Sequence, residues 1–519
     1  MSQHASSPSV SAGRGEATPA IRSRSDPALA LHPDEFRRIG HDLVDRVARF
    51  LEALPAGRVT AGEAPDVVRA ALGHDAPLPD QGENPEAVLR SATDLLFAHS
   101  LFNGHPRFFG YITSPPAPIG ILGEVLAAAV NANAGAWILS PAASEIEAQT
   151  IRWIAELIGY RRGCGGLLVS GGNMANFVGL LAARVARAGW DVRQDGLAAP
   201  AASRFAVYAS RETHTWIQKG ADLFGLGSEA IRWIETDASL RMDADALDRA
   251  LADDAARGIT PLMVVGTAGS VSTGAVDPLR RIAATCRRVG AWFHVDGAYG
   301  GFAAAVPGAS PEFAALAEAD SVAIDPHKWL YAPLEAGCVL ARSPEVLRDA
   351  FSYHPPYYRF GVEVTNFFDL GPQNSRGFRA LKVWLALRHA GREGYARMIG
   401  DDIRLSERLF ELVSRHERLE AVTQGLSITT FRYVPADLRS ALGTPLVESY
   451  LNTLNEALLD DLQRGGAAFV SNAVVSGRLL LRACIVNFHT TDADVAALPS
   501  IVAEAGHAID ERMRPLDLR

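Results

Sequence analysis

The chain is poor in lysine, poor in cysteine and without long apolar runs. Lys219, Lys328 and Lys382 are its only lysines, and every other basic side chain is arginine. A coding bias accounts for arginine wherever a plain positive charge suffices. A lysine that survives such a bias marks a place where amine chemistry, which a guanidinium cannot supply, is worth looking for. Cys164, Cys286, Cys338 and Cys484 stand far apart, with no C-x-x-C pair and no His–Cys cluster. That spacing argues against a disulfide framework and against a zinc site, and it fits a reducing compartment. No apolar run approaches the ~20 residues of a membrane span. The first ~30 residues, rich in Ser, Ala, Pro and Arg, lack the apolar centre of a secretory signal and read as a disordered tail, with an organellar transit peptide as the alternative. Positive charge is not in excess either: 50 Lys+Arg stand against 59 Asp+Glu, for a net charge of −9. A nucleic-acid partner and an anionic lipid surface are therefore not expected. The expectation is a soluble, cytoplasmic protein.

Globular character is well supported. Hydrophobic residues make up 48% and charged ones 21% of 519 residues, enough for three or four units or one two-lobed core with an extra lobe. Phe36, Ile39, Leu43, Val44, Val47, Phe50, Leu51 and Leu54 recur at three- and four-residue steps, which predicts an amphipathic helix opened by Pro33 and closed at Pro55-Ala56-Gly57. From 118 to 390 short apolar runs alternate with helical stretches. Leu167–Ser170, Phe205–Ala209, Leu262–Gly266, Ala291–Val295, Val322–Ile324 and Cys338–Ala341 read as strands, and Asn173–Ala188 and Pro278–Val289 as helices. Such alternation predicts an α/β fold with a mainly parallel central sheet. After Gly391 a helix over Asp402–His416 precedes strand-like runs at Ser427–Tyr433 and Arg478–Ile485 and a last helix, an α+β lobe. The expected organisation is a tail over 1–30, an N-terminal helical segment over 31–117, a large α/β domain over 118–390 and a small α+β domain over 391–519.

Parallel α/β sheets bind ligands beyond the carboxyl ends of their strands. Three runs there carry chemistry. Leu167-Leu168-Val169-Ser170-Gly171-Gly172-Asn173 runs from a strand through glycines into a helix whose free N–H groups suit a phosphate, although a tight turn accounts for it equally well. No G-x-G-x-x-G or G-x-x-x-x-G-K-[ST] pattern is present, which weighs against a dinucleotide or nucleoside triphosphate. Ala291-Trp292-Phe293-His294-Val295-Asp296 ends an apolar strand on a carboxylate that needs a partner, or that caps a turn. Val322-Ala323-Ile324-Asp325-Pro326-His327-Lys328-Trp329-Leu330 sets one of the three lysines beyond a strand and beside apolar Trp-Leu, a setting for an activated amine. Lys382, inside a helical run, reads as structural, and Lys219 has no comparable setting. A phosphate cup, a carboxylate and an amine together are what pyridoxal 5′-phosphate requires. No metal is called for.

The segments Ser170-Gly-Gly-Asn-Met-Ala-Asn176, His294-Val-Asp-Gly-Ala-Tyr-Gly-Gly301 and Asp325-Pro-His-Lys-Trp-Leu330 resemble the group II pyridoxal-phosphate-dependent amino-acid decarboxylases, which include aromatic-amino-acid, histidine and glutamate enzymes. The likeness runs from Pro33 into the C-terminal lobe. It implies the fold-type I, aspartate-aminotransferase-like architecture and a homodimer with shared active sites, in which the helix over 36–54 would pack across the dimer. It implies Lys328 as the Schiff-base lysine, Asp296 as partner of the pyridine nitrogen, and Ala298 against the ring. Gly171, Gly172 and Asn173 match the phosphate cup. Thr267, Asp325 and His327 complete the cofactor contacts, and His214 matches the ring-stacking histidine. Tyr357, with Tyr358 as rival, aligns with the mobile-loop tyrosine that reprotonates the product carbon. The implied reaction is decarboxylation to an amine through an external aldimine and a quinonoid.

For the substrate the likeness implies contacts from Tyr111, Thr113, Ser114, Asn133 and Ser375. Asn103, Asn133 and Gly135 stand where aromatic-specific relatives carry bulkier groups, whereas Ser375 falls where a serine accompanies phenolic substrates. Asn131-Ala132-Asn133 points instead to an acidic substrate. Asp325 replaces an asparagine common in relatives, and Ala268 a threonine. An aromatic L-amino acid is the first expectation and an acidic or polar one the second. An aldehyde synthase and an aminotransferase, with Arg478 or Arg482 holding the substrate carboxylate, are the other enzyme readings.

Overall fold

The computed structural model describes residues 28–199, 204–353 and 364–518. The tail reading, Tyr357 and Tyr358 lie outside them. The described residues up to Glu52 together with Arg69–Ala98 form one compact unit, and Ala53–Val68 with His99 onward form the other.

In the first unit the expected amphipathic helix is present from Pro33. It finds a partner in the helix that starts at Pro85: Phe50 stacks on Phe97 with ring centroids 4.1 Å apart, Arg38 bonds Glu86 at 2.7 Å, and Arg46 bonds Asp94. Phe36 and Val44 remain exposed on its outer side.

The second unit holds two sheets, and among the described residues it has twelve strands: β1 (Phe108–Phe109), β2 (Gly165–Val169), β3 (Phe205–Ser210), β4 (Ile231–Ile234), β5 (Thr260–Thr267), β6 (Trp292–Asp296), β7 (Ser321–Ile324), β8 (Gly337–Ala341), β9 (Leu419–Gly425), β10 (Ile428–Tyr433), β11 (Phe469–Val475) and β12 (Arg478–Cys484). The larger sheet has the order β2-β8-β7-β6-β5-β3-β4. Only β8 runs against its neighbours; β7, β6, β5, β3 and β4 pair in parallel. Its central strands are buried on both faces, which is why they appear in sequence as continuous apolar runs rather than alternating ones. The smaller sheet, β1-β11-β12-β10-β9, draws β1 from residues 108–109, where β1 pairs in parallel with β11.

Four strands escape the sequence reading, β1 because it is only two residues long. β4 is a four-residue edge strand with polar Arg232 inside it, and β9 (LEAVTQG) is another edge. β11 (FVSNAVV) alternates buried and exposed positions around Ser471 and Asn472. The helical stretch Ala380–Ser414 is two helices joined at Gly391, whose φ of +66° only glycine adopts without strain.

The parallel arrangement has one consequence for chemistry. Thr267 at the end of β5 lies in register with Asp296 at the end of β6, and Asp296 with Ala323 of β7, two residues short of Asp325. Three polar side chains thus leave the same edge of the sheet side by side.

Candidate active site

A cavity of about 300 Å³ opens at that edge. Gly171, Gly172 and Asn173 enter it from the start of the helix Gly172–Arg187, Thr267 from β5, Asp296 and Ala298 from β6 and the turn after it, Asp325, His327 and Lys328 from beyond β7, and His214 from beyond β3. Gly171 has φ +144°, and a Cβ on Gly172 would stand 2.8 Å from Asp325 Oδ2 and 3.0 Å from the Ala298 methyl. The chain passes through this point only without side chains, and the freed N–H groups of the helix start face the cavity.

Asp296 is 7% exposed and accepts three hydrogen bonds: Trp216 Nε1 at 2.7 Å and Asn176 Nδ2 at 3.3 Å on Oδ2, and the Ala298 N–H at 3.2 Å on Oδ1. Lys328 Nζ lies 3.0 Å from Asp325 Oδ2, with His327 Nε2 at 3.6 Å from the same oxygen. His327 Nδ1 accepts the Ala336 N–H at 3.1 Å. Burial lowers the His327 pKa, against the pull of Asp325. The neutral ring then carries its proton on Nε2, turned toward the cup. Desolvation also lowers the pKa of His214, with Asp296 opposing and Lys328 reinforcing the shift; its Nδ1 accepts the Trp216 N–H at 3.3 Å.

The segment carrying Lys328 is anchored from behind. Asp402 Oδ2 accepts Trp329 Nε1 at 2.9 Å and Tyr331 OH at 2.8 Å, and Tyr395 OH donates to the Leu330 carbonyl at 3.0 Å. Burial pushes the Asp402 carboxyl up to about 7, although these donors favour its charged form. A carboxyl whose folded pKa is raised gives full stability below its unfolded value of about 3.9 and loses it as pH climbs toward 7, by up to about 1.4 kcal/mol per unit. Asp402→Asn keeps an acceptor oxygen for both donors and removes the titration. Thermal unfolding midpoints recorded between about pH 4 and 8 should therefore fall less steeply with pH in the variant than in the wild type. Parallel curves would contradict this.

The expected cofactor residues Gly171, Gly172, Asn173, His214, Thr267, Asp296, Ala298, Asp325, His327 and Lys328 all line the cavity. The five expected substrate residues are not in its lining. Tyr111 is exposed, with φ +50°, and its carbonyl accepts from Arg482. Thr113 is half-buried and Ser375 exposed. Ser114 Oγ donates to the His327 carbonyl at 2.9 Å, and Asn133 Oδ1 accepts the N–H groups of Gly135 and Arg376 at 3.0 and 3.1 Å. In this chain, Ser114 and Asn133 hold backbone. Lys382 is buried against Glu124 and Lys219 is exposed. Trp216 and Asn176 are site residues that sequence reasoning does not reach. The one signal for Trp216 is its place two residues after His214, as a large aromatic in an otherwise polar stretch. Among the described residues no group of three or more His, Cys, Asp or Glu is disposed to hold a metal ion.

An amine, a carboxylate and a glycine-started helix at the carboxyl edge of such a sheet define a fold-type I pyridoxal-phosphate enzyme. Comparisons with known proteins narrow the class. The profile described as pyridoxal-dependent decarboxylase conserved domain matches residues 65–434. The chain is 31% identical to an aromatic-L-amino-acid decarboxylase of Bacillus atrophaeus, over 89% of this chain and 94% of that protein. It is 31% identical to a tyrosine decarboxylase of Oryza sativa subsp. japonica, over 95% of each. Among solved structures, mouse CSAD superposes with a TM-score of 0.86 at 27% identity, covering 91% of this chain and 99% of that one. Oryza sativa TDC with PLP and tryptamine superposes with 0.84 at 27%, covering 92% and 99%. The chain belongs to the pyridoxal-dependent decarboxylase family and is a carboxy-lyase acting on an amino acid.

The cavity fits pyridoxal phosphate on its own terms. Thr267 Oγ1 and Asp325 Oδ1 are buried in the cavity wall with no hydrogen-bond partner among the described residues. Such atoms call for a polar ligand. The glycine-lined helix start and the His327 Nε2–H suit a phosphate, and the Lys328 amine suits an aldehyde.

Proposed function

We propose that this enzyme decarboxylates an aromatic L-amino acid to the corresponding amine, with Lys328 holding the cofactor covalently and Asp296 holding the proton of its ring nitrogen. The observation that carries the reading is the meeting of Lys328, Asp296 and the Gly171–Gly172 turn in one cavity. Bound pyridoxal phosphate supplies an electron sink for the pair left behind when the substrate carboxylate departs as CO₂. The chain's own groups do the rest. The N–H groups at Gly172 and Asn173 and the His327 ring would hold the phosphate, and Thr267 Oγ1 and Asp325 Oδ1 would gain ligand partners. Ala298 and His214, both in the cavity lining, would contact the ring. Tyr357 delivers the proton that replaces CO₂ on the α-carbon. The Lys328 amine would supply the nucleophile that anchors the cofactor aldehyde. Aromatic preference is supported by the Bacillus and rice relatives and by apolar Ile112, Met174 and Val271 in the cavity wall.

A homodimer and a cytoplasmic location complete the proposal. The helix Pro118–Val130 buries Gly120 and Gly123 but leaves Leu122, Val125, Leu126 and Val130 exposed, and Ile138 and Leu139 add to the exposed apolar surface nearby in the chain. Apolar side chains grouped in this way suit a subunit interface. Tyr111 and Ser375, both exposed, would then serve the partner's site, in keeping with their places outside this chain's own cavity. All four cysteines are free, as in a reducing compartment. Among the described residues no helix is long and apolar enough to cross a membrane.

One experiment tests these points together. The purified protein is scanned for visible cofactor absorbance, sized by sedimentation and given a panel of L-amino acids, with CO₂ and amine both measured. The expected result is a species of twice the chain mass, and CO₂ with equimolar amine from an aromatic substrate. CO₂ with aldehyde in place of amine would convert the reading to an aldehyde synthase. Turnover of acidic substrates alone would overturn the aromatic assignment.

A further inference from the structure

Asp296 is at one end of a longer buried chain. Asn176 donates its Nδ2 to Asp296 Oδ2 and offers its Oδ1 to His294 Nε2 at 2.7 Å. His294 Nδ1 meets Ser321 Oγ at 2.7 Å, and Ser321 Oγ accepts Trp292 Nε1 at 2.8 Å. His294 and Ser321 are fully buried and Asn176 is 1% exposed.

Every proton in this chain has a determined place. Turning the Asn176 amide over would set its oxygen against the Asp296 carboxylate, so the NH₂ must face Asp296. The Asn176 oxygen then faces His294, which must carry a proton on Nε2. Burial pushes the His294 pKa down to about 3, so the ring is neutral and its only proton is that one. Nδ1 is therefore an acceptor and Ser321 must donate to it. Ser321 in turn accepts from Trp292, whose indole can only donate. The order of donation is Trp292, Ser321, His294, Asn176, Asp296. The helix leaves space for it: a Cβ on Gly179, one turn beyond Asn176, would stand 2.9 Å from the His294 ring and 3.1 Å from Ser321 Oγ.

We propose that His294, held by Ser321, is a positioning residue for the reaction: it fixes the Asn176 amide so that Asp296 Oδ2 is occupied and Oδ1, which among the described residues receives one backbone N–H, keeps capacity for the cofactor ring nitrogen. The inference rests on the role assigned to Asp296 above. In an apolar site hydrogen bonds in series reinforce one another, and an amide free to flip would present an oxygen to the carboxylate.

The test uses holoenzyme and reads the visible band of the lysine-bound cofactor as a function of pH, together with cofactor half-saturation. A positive ring nitrogen disfavours a second proton on the lysine-bound nitrogen, so a weaker hold by Asp296 raises the titration midpoint of that band. His294→Leu should raise the midpoint and loosen cofactor by about tenfold, the low end of what outer-shell partners of bound metals show. It should also lower kcat more than it raises KM. His294→Gln, which keeps a donor toward Asn176, should stay within about twofold of wild type. Ser321→Ala should shift the midpoint in the same direction by less. A band unmoved in both His294→Leu and Ser321→Ala, with Asp296→Asn moving it, would overturn the proposal; if His294→Leu does not fold, Ser321→Ala alone decides. A band unmoved by Asp296→Asn would instead remove the assignment of Asp296 on which the proposal rests.

Discussion

Lys328→Arg is expected to eliminate CO₂ release, by on the order of 10⁴-fold or more, while leaving the fold intact. Arginine keeps the positive charge that Asp325 faces but cannot lose its proton, so it cannot act as a nucleophile toward the cofactor aldehyde. Asp325 is 1% exposed and its Oδ2 lies 3.0 Å from the lysine amine. Lys328→Ala therefore does two things at once: it removes the amine and leaves a buried carboxylate without its cation, a loss of about 3–5 kcal/mol. The two variants separate chemistry from stability. Lys328→Arg should lose activity and the lysine-bound absorbance with a thermal midpoint near wild type. Lys328→Ala should lose both activity and several degrees of midpoint. Adding Asp325→Asn to Lys328→Ala should restore the midpoint and not the CO₂. Residual turnover by Lys328→Arg within a hundredfold of wild type would rule Lys328 out as the covalent anchor.

The parts of this molecule that are legible in its sequence are those where one physical requirement dominates. Strands buried on both faces must be apolar throughout, and β3, β5, β6 and β7 therefore stand out in the linear text. A chain that must turn at a glycine before a helix, or end a buried strand on a carboxylate, also leaves a local trace, as at Gly171 and Asp296. Edge strands meet no such demand. β4 and β9 pair on one side only and carry half-buried polar residues, so their pattern does not differ from that of loops. Residues that act through tertiary contacts are the least visible. His294 sits within an apolar strand, and nothing local distinguishes it from a satisfied core histidine. Its importance comes from Asn176, 118 positions away in the chain. Ser114 and Asn133 present the opposite case. Family likeness places them near the substrate, but in this chain their side chains hold the backbone at His327, Gly135 and Arg376.

The largest expected effect on stability lies away from the reacting atoms, at Arg376 and Glu147. Their side chains are 1% and 0% exposed, and Arg376 Nη1 bonds Glu147 Oε2 at 3.1 Å while Nη2 bonds Oε1 at 2.5 Å. The pair closes the open side of β2, the outermost strand of the larger sheet. There the Leu168 N–H donates to Glu147 Oε1 at 2.9 Å and the Leu168 carbonyl accepts from Arg376 Nη2 at 2.6 Å; the Ala134 carbonyl accepts from Nη1 at 3.0 Å. An edge strand needs partners for its outward backbone groups, and a buried one cannot take them from water. Arg376→Leu leaves a buried carboxylate facing two carbonyls and should cost about 3–5 kcal/mol, read as a lower urea midpoint. Glu147→Leu should cost a similar amount for the converse reason. The double variant Arg376→Leu/Glu147→Leu removes both charges and should be less damaged than either single one, yet short of wild type, because three backbone groups stay unpaired. Two residues past Leu168 the chain enters the Ser170-Gly171-Gly172 turn, so all three variants should also weaken cofactor binding. Additive losses in the double variant would mean that the two side chains act independently. Full recovery would mean that the strand edge does not depend on them.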